Sequence, residues 1–228
     1  MKNISYKDYV IEAPLRKEGV EWSYNYSYNA NDQESPRVLL LGDSICNGYQ
    51  RHVRKMLEHR VNVSYWISSF CVTRERYLRM LEMVLDENRY DLVLFNHGAH
   101  CNNELSLWAD AYRSAARFIK DKLDGVKMGF VYCAPTRLDG INERSIKLNA
   151  VAAELAAEYG DTVVDLWTPF AELGQGDDVF TDNFHFASPR QEEMGRIVAN
   201  AVCEILGISE DGDVVQVGNE HGPSGAIK

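Results

Sequence analysis

The chain has 228 residues, of which 45% are hydrophobic and 25% charged, with 16 Gly and 6 Pro. This composition is typical of a globular protein and excludes a collagen-like, low-complexity or disordered chain. The formal net charge of −10 argues against nucleic acid as a partner, because an acidic surface repels phosphate groups.

The chain divides into three zones. Residues 1–36 are polar and aromatic and end in a turn-rich stretch, which predicts an N-terminal arm. Within this arm, residues 22–28 alternate aromatic and small polar side chains, a pattern that indicates a strand with its rings on one face. Such rings suit packing over the domain, and they equally suit binding of a sugar or a partner subunit. Residues 208–228 are rich in Gly and Asp and predict a loose C-terminal tail.

Residues 37–207 alternate short apolar runs with helical patterns. Continuous apolar runs are typical of strands buried on both faces. Strands are predicted over residues 38–41, 61–67, 91–96, 127–133 and 162–166, and helices over residues 48–59, 73–88, 103–123, 141–159 and 188–206. The last helix has Ser188 and Gln191 as a capping box and Gly207 as its stop. Five strands alternating with helices predict a parallel sheet covered on both faces.

The cysteines give an expectation about the compartment. The five cysteines are odd in number and scattered, and none forms a Cys-x-x-Cys motif. This pattern argues for reduced thiols and against a metal site. The first 19 residues lack the apolar core of a secretory signal, so we expect a cytoplasmic protein. Apolar runs stay far below the roughly 20 residues that span a bilayer, so no membrane partner is expected.

Reactive side chains follow the carboxyl ends of the predicted strands, where open parallel sheets bind their ligands. They are, in chain order, Asp43 and Ser44, Ser68 and Ser69, Asn96, His97 and His100, Thr136, and Asp182 and His185. The sequence therefore predicts a site at this edge of the sheet.

The residue types suit acyl transfer. A serine hydroxyl becomes nucleophilic when a base takes its proton, and the base needs a third group to fix its tautomer. Ser44 lies between a strand and a helix, so the helix N-terminus can face a developing oxyanion. Asp182 and His185 are three residues apart, and one turn can join them. Asp177 and Asp178 are alternative acids at less suitable spacing.

Two motifs in this order resemble the SGNH hydrolases, also called the GDSL esterase/lipase family. They are residues 40–45, which contain Gly-Asp-Ser, and residues 182–185. The resemblance covers about residues 37–207 and implies a flavodoxin-like three-layer α/β/α sandwich with a five-stranded parallel sheet. It also implies Ser44 as nucleophile, His185 as base and Asp182 as the orienting acid, with no cofactor.

Two further family motifs differ in this chain. The family's second motif supplies a glycine whose N–H helps form the oxyanion hole, and here the corresponding loop contains Ser69 instead. The third motif supplies an asparagine that donates to the oxyanion, and here His100 stands at that place. A histidine ring can also donate. The resemblance thus implies an oxyanion hole of Ser44, Ser69 and His100, in a subgroup with a histidine-bearing third motif.

Three neighbours of these residues have open roles. Asp43, Asn96 and His97 can each brace a loop or, as candidate substrate-binding residues, contact the substrate. Cys46 and Cys101 flank the site, but Ser44 holds the better position for a nucleophile.

These expectations describe an ester hydrolase. It would remove a short acyl group, with acetyl as first choice, from a small polar or carbohydrate ester through an acyl-Ser44 intermediate. The alternatives are a glycan-cleaving enzyme on the same scaffold and a non-catalytic carbohydrate-binding protein that has lost its oxyanion hole. The sequence leaves open whether the chain forms a homo-oligomer.

Overall fold

A central sheet with helices on both faces organises the chain. The computed structural model describes residues 4–96, 98, 100–101 and 103–209, so the predicted tail lies mostly outside the described residues. The strands are β1 (Ser23–Ser27), β2 (Arg37–Gly42), β3 (Asn62–Ser68), β4 (Leu92–Phe95), β5 (Lys127–Val131) and β6 (Thr162–Val164). The helices are α1 (Ser44–Met56), α2 (Glu75–Leu85), α3 (Leu105–Lys122), α4 (Asp139–Tyr159), α5 (Thr168–Ala171) and α6 (Ser188–Leu206), and a short 3₁₀ helix (Tyr6–Tyr9) precedes them.

The predicted three-layer α/β/α sandwich is confirmed, and its sheet has one strand more than expected. The strand order is β1-β3-β2-β4-β5-β6. Strands β2 to β6 pair in parallel, as predicted. The additional strand β1 comes from the aromatic arm and pairs with β3 in antiparallel register, with Tyr24 opposite Ile67. The arm therefore extends the sheet at its edge.

Each face of the sheet has its own apolar core. One core packs the sheet against α2, α3 and α4 and contains Trp66, Phe95, Tyr112 and Phe130. The other packs it against α1 and α6 and contains Leu40, Val53, Ile67, Phe186 and Val198. The central strands β2 and β3 are buried along their whole length, as the continuous apolar run of residues 38–41 predicts for β2.

Helix α6 begins differently from the prediction. The cap residue is Ala187, and Ser188 is already helical, so the expected capping box is wrong. Gln191 instead donates from Nε2 to the carbonyl oxygen of Phe186 at 2.7 Å. This bond ties the helix start to the segment that carries His185. The helix ends at Gly207 in the left-handed region, with φ of 68°, as predicted.

The expectation of five reduced thiols is wrong. The structure joins Cys71 and Cys101 in a disulfide, with their Cα atoms 4.7 Å apart. The two residues lie in the loops that follow β3 and β4, 30 positions apart. Their approach depends on the arrangement of strands, which cysteine spacing does not reveal. Because two of the five cysteines are paired, reduced thiols no longer argue for a cytoplasmic location. None of the helices in the described ranges is long and apolar enough to cross a membrane.

We expect three reactive thiols per chain after denaturation without reductant, and five after reduction. Cys46, Cys133 and Cys203 are the free cysteines. Titration with an aromatic disulfide reagent in guanidinium measures this number, and a Cys71→Ser variant should give four without reductant. Five thiols in the unreduced, denatured wild type would contradict the Cys71–Cys101 bond.

Candidate active site

Ser44 is presented by a tight strand-to-helix turn. Strand β2 ends at Gly42, Asp43 caps α1 by accepting from the N–H of Ile45 at 2.9 Å, and Ser44 is the first helical residue. The first N–H groups of a helix have no acceptor within the helix. The N–H of Ser44 is therefore placed to meet negative charge that develops beside its own hydroxyl.

Gly42 allows this turn to be tight. A Cβ atom added at Gly42 would lie 2.5 Å from the Cβ of Cys46, in the first turn of α1. Any side chain here would push the helix, and Ser44 with it, away from the sheet.

We therefore expect Gly42→Ala to lower the free energy of unfolding by about 1–3 kcal/mol, which is typical of overpacking. Gly48→Ala is the matched control in the same helix, because the atoms nearest to its Cβ would belong to the side chain of Gln191, at 3.2 Å, and not to the helix. An alanine is favoured over a glycine inside a helix, so this control should be neutral or stabilising. Urea denaturation measures the free energy of unfolding of both variants. Equal values for the two would contradict close packing at Gly42.

Asp182 and His185 form an acid–histidine pair in the loop before α6. The Asp182 Oδ2 atom lies 2.7 Å from His185 Nδ1. Asp182 Oδ1 accepts from the N–H groups of Phe184 and His185, both at 2.7 Å. Around this turn, Thr181 N–H donates to the His185 carbonyl at 2.8 Å, and Phe180 pairs with Phe186. The spacing of three residues thus produces the predicted turn.

The surroundings of Asp182 keep its carboxylate charged. Burial raises the pKa of the Asp182 carboxyl, but the hydrogen bonds from His185 and Phe184 outweigh this effect and hold the pKa at about 2. An ionised carboxylate only accepts, so His185 Nδ1 carries a hydrogen and the neutral ring has its lone pair on Nε2. That tautomer is the one a general base for a serine requires. The alternative acid Asp177 is 2.8 Å from Arg137 instead.

Ser44 and His185 line one cavity of about 340 Å³. No hydrogen bond joins the Ser44 hydroxyl to His185 in the described part of the chain. Catalytic hydrogen bonds are often loose without substrate and tighten when it binds. Most of the remaining lining is apolar and includes Ile45, Tyr49, Val131, Ala134, Leu166 and Phe184.

Burial disfavours the two cysteines of the cavity as nucleophiles. Burial raises the pKa of the Cys46 and Cys133 thiols to about 12. Because the thiolate is the reactive form, both side chains are inert at neutral pH. Ser44 therefore stays the candidate nucleophile of this cavity.

The structure removes Ser69 from the expected oxyanion hole. Its N–H donates to the carbonyl oxygen of Trp22 at 3.1 Å, and its hydroxyl accepts from the N–H of Trp22 at 2.9 Å. The arm strand β1 begins directly after Trp22, so pairing with the arm takes the donor that the family's glycine would offer. Ser69 is buried and does not line the cavity.

Asp43 and Asn96 line the cavity and also brace its walls. Asp43 caps α1, and Asn96 donates from Nδ2 to the carbonyl oxygen of Val131 at 2.7 Å. The third candidate, His97, lies outside the described residues. Across the described ranges, no cluster of three or more His, Cys, Asp or Glu side chains could hold a metal ion.

His100 lines the cavity together with a residue that sequence analysis missed. Its Nδ1 atom lies 2.8 Å from Oε1 of Glu18, which belongs to the arm, 82 positions earlier. No pattern in the arm distinguishes Glu18 from its charged neighbours. Because Glu18 accepts the hydrogen on Nδ1, Nε2 of His100 can donate to an oxyanion only when the ring carries both hydrogens.

Solved structures with the same architecture are known. The chain matches no protein-family model and no curated protein. A GDSL-like lipase from Parabacteroides merdae aligns with a TM-score of 0.63 at 15% identity, over 74% of this chain and 96% of that one. The lipase/acylhydrolase from Enterococcus faecalis gives 0.60 at 18% identity, over 75% and 96%. A catalytic variant of an acetylxylan esterase from Geobacillus stearothermophilus gives 0.58 at 18% identity, over 78% and 98%.

These alignments cover almost the whole of each similar structure and most of this chain, while the identities are low. They therefore establish the architecture. The chain has the fold of the SGNH, or GDSL, hydrolases.

Proposed function

We propose that the chain is a serine ester hydrolase that removes a short acyl group, with acetyl as the first candidate, from a small polar or carbohydrate ester. The observation that carries this proposal is that Ser44 and His185, which is paired with Asp182, line one cavity. A charged acid, a histidine with its lone pair on Nε2 and a serine at a helix start together form the set that acyl transfer needs.

The reaction proceeds in two steps. The Ser44 hydroxyl attacks the ester carbonyl while His185 Nε2 takes its proton, and the N–H of Ser44 stabilises the oxyanion. His185 then returns the proton to the leaving alcohol as the C–O bond breaks, which leaves an acyl-Ser44 ester. Water repeats the sequence, with His185 again as base, and releases the carboxylic acid. Asp182 stays ionised throughout and stabilises the imidazolium.

The cavity supports a small substrate. Its volume of about 340 Å³ lies at the low end of typical ligand pockets. The acetylxylan esterase among the similar structures supports an acetylated sugar as the first carbohydrate to test.

A substrate series tests the size of the acyl group. We expect kcat/KM to be highest for short-chain 4-nitrophenyl esters and to fall by about 10-fold or more from acetyl to octanoyl, because the cavity of about 340 Å³ must hold the acyl chain together with the leaving group. Acetate release from acetylated xylo-oligosaccharides is measured in parallel. Flat or rising kcat/KM with chain length would contradict the short-acyl proposal, and no hydrolysis of any ester would favour the non-catalytic alternative.

A further inference from the structure

Strand β1 forms one edge of the sheet. In the described part of the chain it pairs with β3 and with no other strand. Two backbone hydrogen bonds at its ends show which of its residues face β3. The N–H of Tyr28 donates to the carbonyl oxygen of Val63 at 3.2 Å, and the carbonyl oxygen of Trp22 accepts from Ser69 at 3.1 Å. Because backbone groups alternate in direction along a strand, the even-numbered residues of β1 bond to β3.

The odd-numbered residues of β1 direct their backbone groups outward. The N–H and C=O groups of Ser23, Asn25 and Ser27 point away from β3, and no backbone group within the described ranges pairs with them. Such an open edge is a template for another strand, and proteins usually protect it with charged residues, proline or a bulge. Residues 22–31 contain neither a charged residue nor proline, and the pairing of β1 with β3 has no bulge.

The sequence of this edge reads almost identically in both directions. Residues 22–28 are Trp-Ser-Tyr-Asn-Tyr-Ser-Tyr, which is symmetric about Asn25 except that Trp22 corresponds to Tyr28. An interface between two copies related by a two-fold axis has to be self-complementary, because both copies contribute the same surface. A strand that is symmetric about its central residue meets this condition when it pairs with itself in antiparallel direction.

We propose that β1 is a dimerisation strand that pairs in antiparallel register with β1 of a second copy of this chain. The two-fold axis passes beside Asn25, so Asn25 lies opposite its own copy and Ser23 lies opposite Ser27 of the second copy. These three residues have the outward N–H and C=O groups, so the register gives every one of those groups a partner. The two six-stranded sheets become one continuous sheet.

The tyrosine rings fit the same register. Side chains come closest at the positions between the hydrogen-bonded pairs of an antiparallel ladder. Those positions place Tyr24 opposite Tyr26 of the second copy, and aromatic pairs across strands stabilise a sheet. Tyr24 and Tyr26 are 48% and 52% exposed, whereas Trp22 and Tyr28 on the same face are partly buried. The dimer therefore covers the two rings of this face that a single chain leaves in water.

Charge and space also favour a second copy. The chain has a formal net charge of −10, so two copies can approach closely only through a surface without acids, such as residues 22–31. Glu87 accepts from Nδ2 of Asn25 at 2.8 Å on the other face, but it is exposed, so water and salt screen its charge. Helix α1 packs against β2 and β3. The two β3 strands would be about 14 Å apart, which leaves room for both α1 helices.

Light scattering after size-exclusion chromatography tests the dimer. At a chain concentration of about 100 µM, the wild type should have twice the chain mass of 25.9 kDa. Asn25→Pro removes an outward N–H, which an edge strand tolerates, and should give a monomer. Asn25→Ala changes the same side chain but keeps this N–H, and it should stay a dimer. A monomeric wild type, or a dimer that Asn25→Pro leaves unchanged, would overturn the inference.

A charge exchange tests the register and does not depend on the folding of the proline variant. Tyr24→Glu/Tyr26→Glu places like charges opposite each other across the axis, and Tyr24→Lys/Tyr26→Glu places opposite charges there. We expect the dissociation constant of the first variant to exceed that of the second by about 10-fold or more. Ile146→Glu/Lys147→Gln changes the net charge as the first variant does, at exposed positions of α4, and should stay a dimer.

Analytical ultracentrifugation measures these dissociation constants, and circular dichroism confirms that each variant is folded. Equal dissociation constants for the two tyrosine variants, or monomers in both cases, would overturn the pairing of Tyr24 with Tyr26 of the second copy.

Discussion

Ser44→Ala should lower kcat/KM for 4-nitrophenyl acetate by about 10⁴-fold or more, because in the proposed reaction the oxygen of this hydroxyl forms the acyl-enzyme bond. The free energy of unfolding should change by less than about 0.5 kcal/mol. The hydroxyl of Ser44 makes no hydrogen bond within the described ranges, and Asp43 rather than Ser44 caps the helix. Steady-state kinetics and urea unfolding measure the two quantities.

Ser188→Ala is the matched control for this substitution. Ser188 is also the first residue of a helix, α6, but it is exposed and lies outside the cavity. It should keep wild-type activity. Residual activity of Ser44→Ala within about 10-fold of wild type would show that another group attacks the ester.

His185→Ala should cost about as much as the loss of the serine, because Ser44 then has no base. The effects of Ser44→Ala and His185→Ala on kcat/KM should not be additive. The double variant Ser44→Ala/His185→Ala should be no slower than either single variant by more than about 10-fold, since residues that act as one unit lose their effect together. Two losses that multiply would contradict a shared step.

Asp182→Asn should have an intermediate effect of about 10²- to 10⁴-fold, because the amide no longer fixes the hydrogen on His185 Nδ1. Asp182 stays ionised down to about pH 2, so its protonation does not limit activity near neutral pH. Asp177→Asn is the control, since Asp177 binds Arg137 at the surface, and it should stay within about 3-fold of wild type. A larger loss of activity in Asp177→Asn than in Asp182→Asn would assign the role of the acid to Asp177.

The strands and helices were predictable from the hydrophobic periodicity of the sequence. Their first and last residues were predicted less accurately. Continuous apolar runs such as β2 record burial on both faces directly, so the parallel strands were predictable. Helix α1 begins at Ser44, four residues before the predicted start, because Asp43 provides a cap that the apolar pattern does not reveal. The place of β1 beside β3 depends on pairing between distant segments.

The candidate site also contains some features that were predictable from the sequence and others that were not. The placement of Ser44, Asp182 and His185 was predictable because each is positioned by nearby residues, the strand-to-helix turn for the serine and the one-turn loop for the pair. The contacts of Ser69 and His100 were not predictable, because both are made with the arm. The carbonyl oxygen of Trp22 accepts from the N–H of Ser69, and Oε1 of Glu18 lies 2.8 Å from Nδ1 of His100. Contacts over 47 and 82 positions leave no local signal.

Labelling with a fluorophosphonate tests the central claim most directly, because this probe reacts far faster with a serine that a base has activated than with an ordinary serine. The account predicts one covalent adduct per chain, located by mass spectrometry on the peptide that contains Ser44, and no adduct in Ser44→Ala or His185→Ala. An unlabelled wild-type protein, or an adduct on any other residue, would contradict it.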